Sequence, residues 1–186
     1  MLLLAGCNRD VKPVARTVAV DSAATQHPAA LPAPKLVTLP PQKIDTVSVE
    51  GTSQQMTLRL IQPTSTMPFY TYVPPDIAVV DSTTSDGEDH FFIADFAGKR
   101  NDQAFVLLHF FPADMPREKI VAIAKAYRDS HQGKDLFSSF DLRMHNDRYY
   151  FLAQQYPHEY GDGFAPRAAR ILSEWQWLDV TSAPRP

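Results

Sequence analysis

Two neighbouring segments of this chain are almost continuously apolar, and they limit the possible folds more than any other feature. They read "HFFIADFAG" (90–98) and "QAFVLLHFFP" (103–112), and the polar stretch "KRND" separates them. Aromatic and β-branched residues in short runs are typical of strands, and near-continuous hydrophobicity indicates burial on both faces. The pair therefore predicts a hairpin at the centre of a covered sheet.

After Pro112 the apolar period becomes that of a helix. One stripe of this helix contains Ile120, Val121, Ile123, Ala124 and Tyr127. Asp114 is placed to cap the helix, Pro116 suits its first turn and Gly133 suits its exit. A second helix is predicted over about 165–175, with one side formed by Ala168, Ile171, Leu172 and Trp175.

Shorter alternating patterns predict strands on both sides of these elements. They comprise a hairpin that turns at Gly51, an aromatic strand closed by Pro74 and Pro75, the segment "IAVVDS", and a pair of strands around 145–147. The order of strands, helix, strands and helix predicts an α+β fold, with an antiparallel sheet and two helices packed on it. We expect one globular domain over 44–186.

This order of elements resembles the Mog1/PsbP-type fold. The resemblance rests on "FYTYVPPD" early in the domain, a long central hairpin, a middle helix and a closing helix that ends in "ILSEWQW". Members of that group are mostly accessory or binding proteins, so the resemblance implies no catalytic residues.

The N-terminal residues differ from the rest in composition. Residues 8–43 are rich in Pro, Ala, Thr and Val and keep no apolar period, which predicts a flexible linker. Ahead of it stands "MLLLAGC" (1–7), which contains the single cysteine of the chain.

The last four of those residues resemble the lipobox of bacterial lipoproteins, in which small residues precede a cysteine that receives a lipid. Leu4, Ala5 and Gly6 match the positions before the cysteine, and Cys7 matches the cysteine itself. The resemblance implies an acylated Cys7 on the periplasmic side of the cell envelope, and Asn8 favours the outer membrane over the inner. Because a signal peptide needs a basic start and about 7–15 apolar residues, we expect either that translation begins upstream of Met1 or that the sequence is trimmed at its start.

Composition excludes several classes of function. The 18 basic and 21 acidic residues give a net charge of −3, so no strong field favours nucleic acid. One cysteine excludes an internal disulfide and a multi-cysteine zinc site. The chain has no G-x-S-x-G, S-x-x-K or H-E-x-x-H motif, so neither an enzyme nor a cofactor is predicted.

The two predicted central strands contain the histidines that are the candidate metal ligands. His90 and His109 occupy one strand each, and a hairpin could bring their imidazoles together beside Asp95 or Asp114. No metal site is assigned, because no known ligand spacing appears and a histidine among aromatic residues is usually structural.

Three further groups of residues have side chains that could support a function. "DSTTSDGEDH" (81–90) has four acidic residues but lacks the EF-hand register, which favours a solvated turn over a calcium loop. His158 and Glu159 could suggest acid–base chemistry, but a loop with Asp162 capping the next helix is preferred. Tyr156, Tyr160 and Trp177 form a possible contact patch.

The leading hypothesis is a lipid-anchored, non-catalytic envelope module that binds a protein or the cell wall. The alternative is a periplasmic domain that binds a small molecule or metal, and a hydrolase is a third hypothesis. A small-molecule binder needs a partly apolar pocket with converging polar groups, whereas a protein-binding module needs an exposed aromatic patch.

Overall fold

The computed structural model describes residues 39–49 and 51–178. The lipobox with Cys7 and most of the predicted linker lie outside the described residues. The α+β prediction is confirmed, and the elements follow in the order β1 Gln42–Val49, β2 Thr52–Ile61, β3 Phe69–Val73, β4 Ile77–Thr84, β5 Gly87–Phe96, β6 Lys99–Phe110, α1 Arg117–Ser130, β7 Leu136–His145, β8 Arg148–Pro157, α2 Gly161–Glu174 and β9 Gln176–Trp177. A single 3₁₀ turn, His158–Tyr160, leads into α2.

The strands of the described region divide between two antiparallel sheets, a division that the sequence pattern did not indicate. The smaller sheet has the order β1-β2-β3-β9 and the larger has the order β4-β5-β6-β8-β7. The predicted central hairpin is β5–β6, and it turns at Ala97 and Gly98, so that "KRND" belongs to β6 rather than to the turn.

Both faces of the larger sheet are covered, as the near-continuous apolar runs predicted. On one face α1 packs Ile120 and Ala124 against residues such as Leu107 and Phe151. On the other face α2 and the smaller sheet enclose the main core, in which Phe69 and Phe164 are fully buried. The central hairpin is therefore the middle layer of the domain.

Both helices begin at positions other than those predicted. α1 begins at Arg117 with Pro116 at its N-cap and no side-chain cap, so Asp114 does not cap it. Val121 is 48% exposed and therefore lies off the buried stripe. α2 begins at Gly161 because the preceding 3₁₀ turn runs directly into helical backbone, which places Asp162 inside the first turn instead of at the cap.

Candidate functional site

Two aspartate–histidine pairs lie side by side near the start of β5. Nδ1 of His90 lies 2.8 Å from Oδ1 of Asp81 on β4, and Nδ1 of His109 on β6 lies 2.7 Å from Oδ1 of Asp89. A carboxylate can only accept a hydrogen bond, so each Nδ1 carries a proton and donates it. Each ring is thereby fixed in one orientation.

The two imidazoles do not form a common site. In the β5–β6 ladder His90 is opposite Leu108, and His109 is opposite Asp89. Successive residues of a strand point to opposite faces, so His90 faces α2 and the smaller sheet while His109 faces α1. The hairpin forms as predicted, but its register puts one sheet layer between the two rings, and the expected approach does not occur.

Both rings are buried, with 2% of His90 and 5% of His109 exposed. The His90 ring lies 5.2 Å from each of the Phe69 and Phe110 rings, and His109 stacks on Phe151 at 4.7 Å. Within the described region neither Nε2 has a hydrogen-bond partner. Buried polar atoms are normally paired, so two imidazole nitrogens without a partner at one end of a hairpin mark this region as unusual.

The carboxylate of Glu88 lies close to the free nitrogen of His90. Its Oε2 lies 3.9 Å from that Nε2, and it accepts hydrogen bonds from Ser65 Oγ at 2.6 Å and from the Thr66 amide at 3.1 Å. Burial by itself would raise the pKa of the Glu88 carboxyl, but the hydrogen bonds from Ser65 and Thr66 outweigh it and hold the pKa below its usual value. Glu88 is therefore ionised at neutral pH.

A pocket of ≈ 340 Å³ opens beside Glu88, and we call it the Glu88 pocket. Its wall combines apolar surface with one acidic and one basic side chain. The lining residues are Thr66, Thr83, Thr84, Gly87, Glu88, Phe110, Pro112, Ala113 and Arg148. This combination, apolar walls with few polar groups, is typical of small-ligand sites.

Arg148 is the basic side chain in the lining of the Glu88 pocket. Its Nη1 donates to the Thr66 carbonyl at 2.6 Å, and its Nη2 donates to Thr66 Oγ1 at 2.8 Å and to the Phe111 carbonyl at 3.1 Å. Its Nε is buried and has no acceptor in the described region. The guanidinium is thus held in place by neutral acceptors alone.

The four acidic side chains of 81–90 do not converge on a common point. Asp81 and Asp89 each hold a histidine, Glu88 holds the segment at 65–66, and Asp86 pairs with Lys119 at 3.0 Å. Nowhere in residues 39–49 and 51–178 do three or more His, Cys, Asp or Glu side chains come together in a way that could hold a metal ion.

A second pocket, of ≈ 300 Å³, lies where α2 begins. It is lined by Val49, Phe96, Glu159, Tyr160, Asp162, Gly163 and Arg167. Arg167 lies over the Phe96 ring at 4.7 Å and reaches Oδ2 of Asp76 through Nε at 2.8 Å and Nη2 at 2.6 Å. Its one basic side chain is therefore already paired with a carboxylate, whereas Arg148 in the Glu88 pocket makes no ion pair in the described region.

The predicted contact patch does not exist as one surface. Tyr156 is buried beside Phe164, and Tyr160 stacks on Phe96 where α2 begins. Trp177 follows the other end of this 14-residue helix, about 20 Å away at 1.5 Å per residue, and stacks on His145. Sequence spacing could not show that α2 separates these aromatic side chains.

Sequence reasoning missed the residues that build the Glu88 pocket. Ser65, Thr66 and Arg148 are ordinary loop and strand residues in the sequence, and Arg148 is 82 positions from Thr66. Only the glycine of "SDGED" is a signal for this part of the pocket in the sequence. The pattern around it predicts an exposed turn, whereas Gly87 is buried.

Comparisons with protein-family profiles, curated proteins and solved structures found no match to this chain. Neither helix in the described part of the chain has the length and hydropathy required to span a bilayer.

Proposed function

We propose that this domain is a non-catalytic module that binds a small ligand in the Glu88 pocket, carried by a chain that is lipid-anchored in the cell envelope through Cys7. The observation that carries the binding function is that one pocket combines an apolar wall with the ionised carboxylate of Glu88 and the guanidinium of Arg148. In the described region neither group makes an ion pair with an oppositely charged Lys, Arg, Asp or Glu side chain. The anchor rests on the lipobox residues alone. The resemblance to the Mog1/PsbP-type fold stays a prediction.

The state of the histidines supports binding over catalysis. A general base needs a nitrogen within hydrogen-bond reach of its substrate. The free Nε2 atoms of His90 and His109 are buried among aromatic rings, and both Nδ1 atoms already bind carboxylates. These imidazoles therefore serve to stiffen the hairpin that carries Gly87 and Glu88.

The distribution of exposed apolar side chains supports a small ligand over a protein partner. In the described region the large exposed hydrophobic residues are Ile44, Val121, Phe137 and Met144. They are scattered over β1, α1 and β7 and form no aromatic patch of the kind that a protein-binding module needs. An envelope protein or the cell wall is the competing partner.

The pocket can be tested by recording amide spectra of the domain with a library of small charged and neutral fragments at millimolar concentration. We expect some fragments to shift the amides of Gly87, Glu88 and Ala113. Ala113 is exposed at the pocket mouth, so Ala113→Trp should block these shifts, whereas Ala126→Trp on the exposed side of α1 should leave them unchanged. A library that perturbs no pocket amide would contradict the binding function.

The anchor is tested by expressing the full-length chain in a bacterium beside Cys7→Ser. We expect the parent to gain the mass of a diacylglyceryl group and to sediment with membranes. Both properties should be lost in the variant, because the thiolate is the nucleophile that takes the lipid. An unmodified parent in the soluble fraction would rule out the lipoprotein assignment.

A further inference from the structure

We propose that the Glu88 pocket takes a small zwitterion that carries an ammonium and a carboxylate close together, such as a free α-amino acid with an apolar side chain. This inference rests on the proposed binding function of the same pocket. It specifies the charge pattern of the ligand, which the apolar wall by itself does not.

The first argument is that two opposite charges line one pocket without pairing with each other. In the described region Glu88 makes no ion pair with a lysine or arginine, and Arg148 makes none with a carboxylate. Oppositely charged side chains that share a partly buried site usually pair, because an uncompensated charge away from water is costly. Here both remain available to a ligand.

Thr66 explains why the two side chains stay apart. Its amide donates to the Glu88 carboxylate, while its carbonyl and its hydroxyl oxygen accept from Arg148. Glu88 is held further by Ser65, and Arg148 is held further by the Phe111 carbonyl. The loop residue therefore acts as a spacer that fixes a negative and a positive group on either side of itself.

Both charged groups keep unused hydrogen-bonding capacity. A carboxylate has about four acceptor sites and a guanidinium has five N–H donors. In the described region Glu88 accepts hydrogen bonds from Ser65 and Thr66, and Arg148 makes three hydrogen bonds to neutral oxygens. An ammonium placed at Glu88 and a carboxylate placed at Arg148 would make charge-assisted hydrogen bonds, the strongest kind available.

Size and polarity narrow the ligand further. The pocket volume is ≈ 340 Å³, and since one water occupies about 30 Å³ of liquid, it holds on the order of ten non-hydrogen atoms. Phe110, Pro112 and Ala113 offer an apolar surface beside the charges. A ligand with only one charge would leave the other side chain unpaired, which favours the zwitterion.

The proposal can be tested with four probes that share one hydrocarbon skeleton, titrated into the domain by calorimetry and amide spectra. They are L-leucine, 3-methylbutylamine, 4-methylpentanoate and N-acetyl-L-leucine amide, which carry both charges, one positive charge, one negative charge and no charge. We expect leucine to bind at least about tenfold more tightly than each of the other three, because it alone pairs with both side chains.

Two variants test whether leucine binding depends on the charge of Glu88. Glu88→Gln can still accept hydrogen bonds from Ser65 and Thr66, so it should fold as the parent does but lose at least about tenfold in leucine affinity. Glu159→Gln in the second pocket removes the same charge elsewhere and should leave leucine affinity unchanged.

Each other outcome contradicts the proposal of a zwitterionic ligand and indicates a different kind of site or ligand. Equal affinity for the amine and leucine would indicate a cation site, and equal affinity for 4-methylpentanoate and leucine would indicate an anion site, with the binding function intact. Leucine affinity that Glu88→Gln leaves unaltered would place the amino acid outside this pocket. If the fragment library binds and leucine does not, only the zwitterion fails; if neither perturbs the pocket, the proposed function fails as well.

Discussion

Replacing Gly87 with alanine is expected to destabilise the domain by at least about 3 kcal/mol, a large fraction of the roughly 5–15 kcal/mol by which an ordinary domain is stable. A Cβ at this position would lie 2.3 Å from the Phe110 carbonyl oxygen and 2.9 Å from Nε2 of His109. The first contact is with the backbone of β6, which cannot move without breaking the central hairpin. The φ of +147° adds strain, because L-residues rarely adopt it.

Gly98 provides the matched control, at the other end of the same hairpin. Its φ is also positive, at +73°, but a Cβ there meets nothing within 4 Å. Gly98→Ala should therefore cost only about 1–2 kcal/mol, the strain of a left-handed backbone. The measurement is urea unfolding of both variants and the parent; equal losses at Gly87 and Gly98 would contradict the close packing of β5 on β6.

Replacing Arg167 with methionine is expected to cost about 3 kcal/mol and to lower the melting temperature by about 10 °C. Arg167 is 8% exposed, and both of its bonds to Asp76 reach the same oxygen, Oδ2. Without the guanidinium, Asp76 keeps a partly buried charge with no counterion. The figure lies at the lower end for a buried pair because the Asp76 side chain retains 24% exposure.

Arg170, one turn further along α2, is the control for this prediction. Its side chain is 28% exposed and pairs with Asp45 at 3.3 Å and Glu174 at 3.4 Å. Arg170→Met should cost less than about 1 kcal/mol, as other exposed pairs do. A double change of Arg167→Met with Asp76→Asn should be less destabilising than the sum of the two single changes. Additive losses would show that the two side chains are not coupled.

The resulting fold shows which expectations depended on local pattern. The hairpin of β1 and β2, the central hairpin, the buried positions Ile120 and Ala124 of α1, and the stripe of α2 all follow from apolar period, and all are confirmed. The turn at Asn146 and Asp147, both with positive φ, joins β7 to β8 where polar residues interrupt two strands. Periodicity is a short-range property, so it can be recognised without knowing the partners of an element.

The candidate site was predicted only in part, for a reason visible at its two histidines. The sequence directed attention to His90 and His109, and both carry unusual buried groups. It could not show that they lie on opposite faces of the sheet, because that depends on the register of β5 against β6.

By itself, the sequence determined the α+β class, the central hairpin and the order of the elements, because each depends on the alternation of apolar and polar residues within one segment. The tertiary structure decided the division into two sheets and the assembly of the Glu88 pocket. The pocket brings Glu88 together with Thr66, 22 positions away, and Arg148, 82 positions from Thr66. Such contacts form only when separate elements pack against each other. A local pattern of residues therefore does not show which polar side chains will lie together in the folded domain.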